Sequence, residues 1–152
     1  MQRIHLCTGI LERDGKILMV ASRYPNHPRP LWNLPGGRQE ASELLEQALR
    51  REFAEEVSLA IELESLAYVA ESFDRATETH FTNFAFRVDS DGEPRLGAGD
   101  AHAVDLAWVP RDIVGERLSV DVVRAPLVEH LAGKRRRYYA VADAGITIEF
   151  AD

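Results

Sequence analysis

Apolar residues dominate two short runs, 4–12 and 16–22, separated by Asp14-Gly15. Two strand-like runs around an Asp-Gly pair predict a β-hairpin. "RYPNHPRPLW" then breaks the pattern and predicts a Pro-rich loop carrying Arg23, His27 and Arg29. "LWNLPGG" reads as a short apolar strand followed by a Pro-Gly-Gly turn. From Ser42 the period becomes helical. Ser42 is an N-cap, Glu43 in the first turn suits the helix dipole, and the helix should span 43–57. Residues 59–73 predict one long strand or two short ones. "HFTNFAFRV" sets Phe84, Phe86 and Val88 on one face and Ala85 and Arg87 on the other. "DSDGEPRLGAGDAH" is a loop; its Asp89 and Asp91 do not make a calcium loop, because Pro94 stands where a glycine is needed. "VDLAWVP" is a further strand, and a helix should cover 120–132. Tyr138–Val141 and Ile146–Phe150 read as a closing hairpin around Asp143-Ala144-Gly145. No repeat, low-complexity stretch or linker interrupts the chain. The expectation is one domain over 1–152, with a C-terminal hairpin extension from about 133.

The predicted helix changes character along one face. With each residue advancing about 100° and Leu44 at zero, Ala48, Leu45 and Leu49 fall at roughly 40°, 100° and 140°. Glu55, Glu52 and Glu56 fall at roughly 20°, 80° and 120°, in the same arc. Several carboxylates turned inward together are costly unless protonated or paired. Arg51 reaches Glu55 at the i, i+4 spacing, but one arginine cannot neutralise three carboxylates. A divalent cation can, and oxygen-only ligands select a hard ion, Mg²⁺ or Mn²⁺, over zinc. On the helix alone a solvated helix end accounts for the glutamates equally well, since glutamate is a good helix former. Gly36-Gly37 tips the balance by bringing bare backbone to the helix N-terminus, a region suited to metal or phosphate contact.

Composition narrows the field further. A chain of 152 residues, 45% apolar and 28% charged, suits one globular domain with a proper core. A net charge of −7 argues against non-specific duplex nucleic acid as a partner. The basic run Lys134–Arg137 reads as a solvated turn. Cys7 is the only cysteine, which excludes an internal disulfide and a four-cysteine zinc site. No signal-peptide core and no run near ~18 apolar residues is present, so a cytoplasmic, soluble protein without a membrane partner is expected.

The spacing Gly37, Glu43, Arg51-Glu52, Phe53, Glu55-Glu56, Leu59 resembles the signature of the Nudix hydrolases. "LPGG" before it and "LAWVP" after it agree, and the resemblance covers roughly residues 4–115. It departs at Ser58, where the family has a glycine that lets the chain leave the helix in a left-handed turn. Serine takes that conformation less easily, by about 1 kcal/mol. The resemblance implies an α/β/α sandwich around a mixed β-sheet. It also implies hydrolysis of a nucleoside diphosphate linked to another moiety. By position it makes Glu52, Glu55, Glu56 and the Gly36 carbonyl metal ligands, with Glu43 and Arg51 orienting them and Gly37 beside the substrate. A carboxylate must accept the attacking water's proton; a box glutamate, Asp100 and Asp105 are the candidates.

Substrate identity is less legible. Arg23, at the end of a strand, is placed to meet a phosphate, whereas His27 and Arg29 read as solvated. Trp32, Phe73, Phe81 and Tyr24 could stack on a base or simply pack. An ADP-sugar such as ADP-ribose and a (d)NTP both fit, and a homodimer is compatible with the sequence. The alternative is a nucleotide-sensing Nudix domain without turnover.

Overall fold

The Asp14-Gly15 turn forms with both residues at positive φ, 52° and 75°, as a two-residue hairpin requires. It joins β1 (Gln2–Arg13) to β2 (Lys16–Ser22), paired at Glu12↔Ile17 and Arg13↔Lys16. The computed structural model describes residues 1–98 and 102–148.

Beyond that turn the two arms part. β2 pairs antiparallel with β3 (Leu31–Asn33) at its far end. β1 continues away and pairs at Leu6–Thr8 with β4 (Gly36–Arg38). The expected Pro-Gly-Gly turn is therefore corrected. Gly36 and Gly37 are strand residues, and their missing side chains serve close packing. A Cβ on Gly36 would lie 2.0 Å from the Cys7 carbonyl oxygen.

Helix α1 (Leu45–Val57) follows. It starts later than expected, and Ser42 is not its N-cap. Leu44 takes that position, with its N–H donated to Gln47 Oε1 at 2.8 Å. Strands β5 (Glu62–Asp74) and β6 (Thr79–Asp89) form a long antiparallel pair. β6 also runs parallel to β1 over ten registered positions, Gln2↔Thr79 to Leu11↔Val88. β7 (Ala103–Pro110) pairs antiparallel with β2. Short α2 (Val114–Arg117), which the hydrophobic pattern did not reveal, leads to α3 (Asp121–Leu131). β8 (Tyr138–Val141) is a strand as expected, but its partner is corrected. It pairs in parallel with β5; of the expected second arm, residues 146–148 carry no strand and residues 149–150 lie outside the described residues. Before it, the basic run is exposed, with Arg136 and Arg137 donating to the Tyr138 and Leu66 carbonyls.

The result is a mixed sheet covered on both sides. Alternation along β1 divides its residues: Cys7 and Leu11 join Leu49, Phe53 and Val57 of α1, while Ile10 joins Ala85, Leu118 and Leu127 on the α2–α3 side. β6 divides similarly, with Phe86 and Val88 on the α1 side and Ala85 opposite.

At the end of α1, Ser58 does adopt the left-handed conformation, φ 60° and ψ 34°, and its N–H returns to the Phe53 carbonyl. Ser58→Gly should therefore raise stability by a few tenths up to about 1 kcal/mol, the relief of a Cβ in this region offset by a more flexible unfolded chain. Urea melts of the two proteins measure it, and a loss of stability beyond 1 kcal/mol would mean the serine side chain has a partner in the folded state.

Candidate functional site

The buried face of α1 is turned from the predicted arc. Leu44 is exposed, whereas Ala48, Leu49, Phe53 and Val57 are fully buried. The inward arc thus runs from about 40° to about 220°, through Phe53 and Val57. This shift grades the glutamates by depth. Glu56, near the middle, is 7% exposed. The side chains of Glu52 and Glu55, nearer the edge, are 16% and 53% exposed. Sequence periodicity placed all three on one side but missed Phe53 and Val57, whose apolar contacts fix the helix rotation.

β4 meets these carboxylates. Glu56 Oε1 accepts the Gly36 N–H at 2.8 Å. Glu52 lies flat against Gly37, where a Cβ would come within 2.5 Å of its carboxyl carbon. Two adjacent glycines thus let a strand backbone reach two side chains of the helix. Arg51 supplies the local positive charge. It holds Glu43 in a two-point pair, Nε to Oε2 at 2.8 Å and a second nitrogen to Oε1 at 3.0 Å. It also donates to Glu52 at 3.0 Å, Glu55 at 3.3 Å and the Arg38 carbonyl at 3.0 Å. These hydrogen bonds hold the Glu43 carboxyl below its ordinary range, assisted by the Glu40 N–H, and push the Arg51 pKa up. Beneath them Cys7 is buried, and desolvation, followed by the nearby Glu52 charge, raises its thiol pKa to about 12.

Among the described residues no three His, Cys, Asp or Glu side chains stand gathered around one point as metal ligands. The pairing pattern explains this, because Arg51 lies between Glu52 and Glu55. The donors nevertheless suit a hard divalent ion. All are oxygens, two carboxylates are held against bare backbone, and one guanidinium is shared by Glu43, Glu52 and Glu55.

Glu52, Glu55, Glu56, Arg51, Gly36 and Gly37 line a polar cleft of about 910 Å³. Arg3, His5, Tyr24 and His102 share its wall. Glu43 is not part of the cleft lining; it is paired at two points with Arg51, which is. Arg23 does not reach the cleft wall. Its backbone N–H donates to the His102 carbonyl at 2.8 Å, and the wall takes Ser22, Tyr24 and His102 instead. Asp105 also lies off the cleft, accepting the Leu106 N–H at 2.8 Å. Asp100 lies outside the described residues. Among the aromatic candidates, Trp32 is covered by Arg117 and Phe73 by Arg75.

A second, mostly apolar cavity of about 100 Å³ opens on the α3 side of β1. Phe81, Val120 and Val123 line it, with Thr8, Asn33, Glu71, Ser72 and Asn83 as polar residues. Asn83 Oδ1 accepts from Thr8 at 3.3 Å and Asn33 Oδ1 from the Leu34 N–H at 2.7 Å. Each amide therefore has its NH₂ to offer a ligand. The two cavities are neighbours, because Thr8 in this wall is the register partner of Gly36 in the other. Sequence reading named Phe81 as a possible stacking residue but did not assemble this cavity around it. A second signal is asparagine at position 83 on the same strand face as core Ala85.

Comparison with known proteins agrees with this geometry. The family model described as NUDIX domain matches residues 2–131. The chain is 36% identical over 107 residues to the ADP-ribose pyrophosphatase of Methanocaldococcus jannaschii, covering 68% of this chain and 62% of that protein. It is 41% identical over 70 residues to the CTP pyrophosphohydrolase of Escherichia coli, covering 46% of this chain and 50% of that protein. The chain thus spans less than two thirds of the length of these curated relatives. The crystal structure of a MutT NUDIX hydrolase from Burkholderia pseudomallei superimposes with a TM-score of 0.69 at 29% identity, over 84% of this chain and 97% of that one. No helix among the described residues is long and apolar enough to cross a membrane.

Proposed function

This chain belongs to the Nudix hydrolase family, and we propose that it is a divalent-metal-dependent pyrophosphohydrolase acting on a nucleoside diphosphate linked to another moiety. The observation that carries this reading is the set of three glutamates of α1, graded in depth, on one wall of a polar cleft beside Gly36 and Gly37. Glu52, Glu55, Glu56 and the Gly36 carbonyl are the groups that would hold Mg²⁺ or Mn²⁺. When bound, such an ion neutralises the diphosphate and makes a water more acidic.

The chain's own groups do the rest. In the reaction a water oxygen bonds to one phosphorus while the bridging P–O bond breaks, and the bridging oxygen leaves on the other phosphate. The water's proton goes to a carboxylate. Glu55 is the best placed of the described carboxylates for that step: it lines the cleft, is half exposed and pairs with Arg51 at 3.3 Å. Glu43 acts through Arg51, which it holds at two points. The diphosphate lies in the polar cleft, and the nucleobase enters the neighbouring apolar cavity, where Phe81 forms part of the wall and Asn33 and Asn83 offer donors. The named activities of the relatives, on ADP-ribose and CTP, support both an ADP-sugar and a nucleoside triphosphate as substrate class.

One panel tests the reading. The protein is incubated with Mg²⁺ and ADP-ribose, CTP, the other (d)NTPs and 8-oxo-dGTP, and release of mononucleotide with phosphate, pyrophosphate or sugar phosphate is followed. Turnover of at least one compound, abolished by EDTA and restored by Mg²⁺ or Mn²⁺, is expected. Activity that survives thorough chelation overturns the metal-dependent mechanism. Binding without turnover across the panel favours a nucleotide sensor instead.

A further inference from the structure

The family match ends at residue 131, yet chain beyond it lines the apolar cavity. After β8 the backbone turns at Gly145, φ 71°, with Asp143 accepting the Gly145 N–H at 2.9 Å. The segment around that turn is anchored at both ends. On one side the Ala144 N–H donates to the Phe73 carbonyl at 2.8 Å, and the Thr147 hydroxyl donates to buried Asp74 at 3.1 Å. On the other, the Thr147 carbonyl accepts from Asn26 at 2.6 Å and from His27 Nε2 at 2.7 Å. His27, expected from sequence to be solvated, is thus tied to the C-terminal segment. The anchors belong to the end of β5 and to the loop after β2, so the segment bridges two elements. Ile146 and Ile148 line the cavity, while Thr147 between them is held by the anchors.

We propose that residues 144–148 form a specificity wall in which Ile146 and Ile148 decide which nucleobase the second cavity accepts. The proposal rests on placing the base in that cavity. An apolar wall offers no hydrogen bond to read, so it discriminates by size. Shortening either isoleucine enlarges the cavity and favours a two-ring base over a one-ring base. Apolar pockets discriminate by about tenfold or more per methylene; at this half-open wall a shift of about fivefold is expected. Thr147 acts differently, as a positioning residue that holds the wall against Asp74.

The test uses the full chain with Ile146→Ala, Ile148→Ala, Thr147→Val and Thr147→Ser. Two readouts are taken: the kcat/KM ratio for matched purine and pyrimidine nucleoside triphosphates, and NMR titrations with AMP, GMP, CMP and UMP. In the isoleucine variants the purine-to-pyrimidine ratio should rise about fivefold in both readouts. Thr147→Val should erode discrimination, and Thr147→Ser, which keeps the hydroxyl, should retain it. Unchanged ratios in both isoleucine variants, with spectra showing a folded protein, overturn the proposal. Wild-type protein that binds mononucleotides but hydrolyses nothing overturns the hydrolase reading instead, while the titrations still decide the role of the wall.

Discussion

Glu56→Gln is expected to lower kcat about a thousandfold, roughly 4 kcal/mol of transition-state stabilisation, while leaving the metal-free protein as stable as wild type or more so. Both halves follow from the position of this side chain. Glu56 is the most deeply set of the three helix glutamates, and its Oε1 accepts the Gly36 N–H at 2.8 Å. Glutamine keeps an oxygen for that bond at nearly the same shape, so the strand–helix contact survives. What disappears is a negative charge beside Glu52 and Glu55, which share the single guanidinium of Arg51. Without metal, that loss relieves repulsion. With metal, it removes a ligand charge that counts most when charge develops on the transferred phosphoryl group. Mg²⁺ at about ten times its Kd should stabilise wild type by roughly 1.4 kcal/mol through mass action and the variant by much less. Melting curves in EDTA and in Mg²⁺, with one rate assay, measure all of this. Strong destabilisation in EDTA, or near wild-type turnover, would show that Glu56 is a structural acid and not a ligand.

The part of the site that was legible in the sequence is the part carried by one helix. Spacing alone placed Glu52, Glu55 and Glu56 on one side of α1 and brought Arg51 within reach of Glu55, as the 3.3 Å contact bears out. Depth was not legible. It depends on how far the helix is rotated, and that is set by Phe53 and Val57 packing against Cys7, Leu11 and Val88 from two other strands. The same limit explains the turn that proved to be a strand. "PGG" signals a turn locally, but Gly36 and Gly37 are held extended by pairing with Thr8 and Cys7, nearly thirty residues away in the chain. The first arm of the expected C-terminal hairpin found a different partner for a related reason. Tyr138–Val141 has strand propensity, but the open edge of β5 captures it in parallel. The second cavity, built from β1, β3, β5, β6, α3 and the C-terminal segment, has no contiguous signature for sequence to show.

Arg51→Met should destabilise the metal-free protein by about 2 to 4 kcal/mol, between the roughly 1–3 kcal/mol for a part-buried group that loses its hydrogen bond and the roughly 3–5 kcal/mol for breaking a fully buried ion pair. Methionine keeps much of the apolar stem, so the loss reports the guanidinium. Glu43, whose side chain is 17% exposed, and Glu52 at 16% lose their shared donor together, and the Arg38 carbonyl loses its hydrogen bond from this side chain. Acid should then separate the two proteins in a defined way. In the folded state the Glu43 carboxyl titrates below its ordinary value of 4.5, first because of its hydrogen bonds from Arg51. A depressed folded pKa contributes stability that is fully present above the unfolded value and is lost as pH falls through the folded one. Wild type should therefore lose stability more steeply than Arg51→Met as the pH drops below about 4.5, and the gap between them should narrow. Chemical denaturation of both proteins at pH 7, 5, 4 and 3 in EDTA gives the comparison. A gap that stays constant across that range would mean that the pairing with Glu43 contributes nothing to stability and that Arg51 acts there only through its packing.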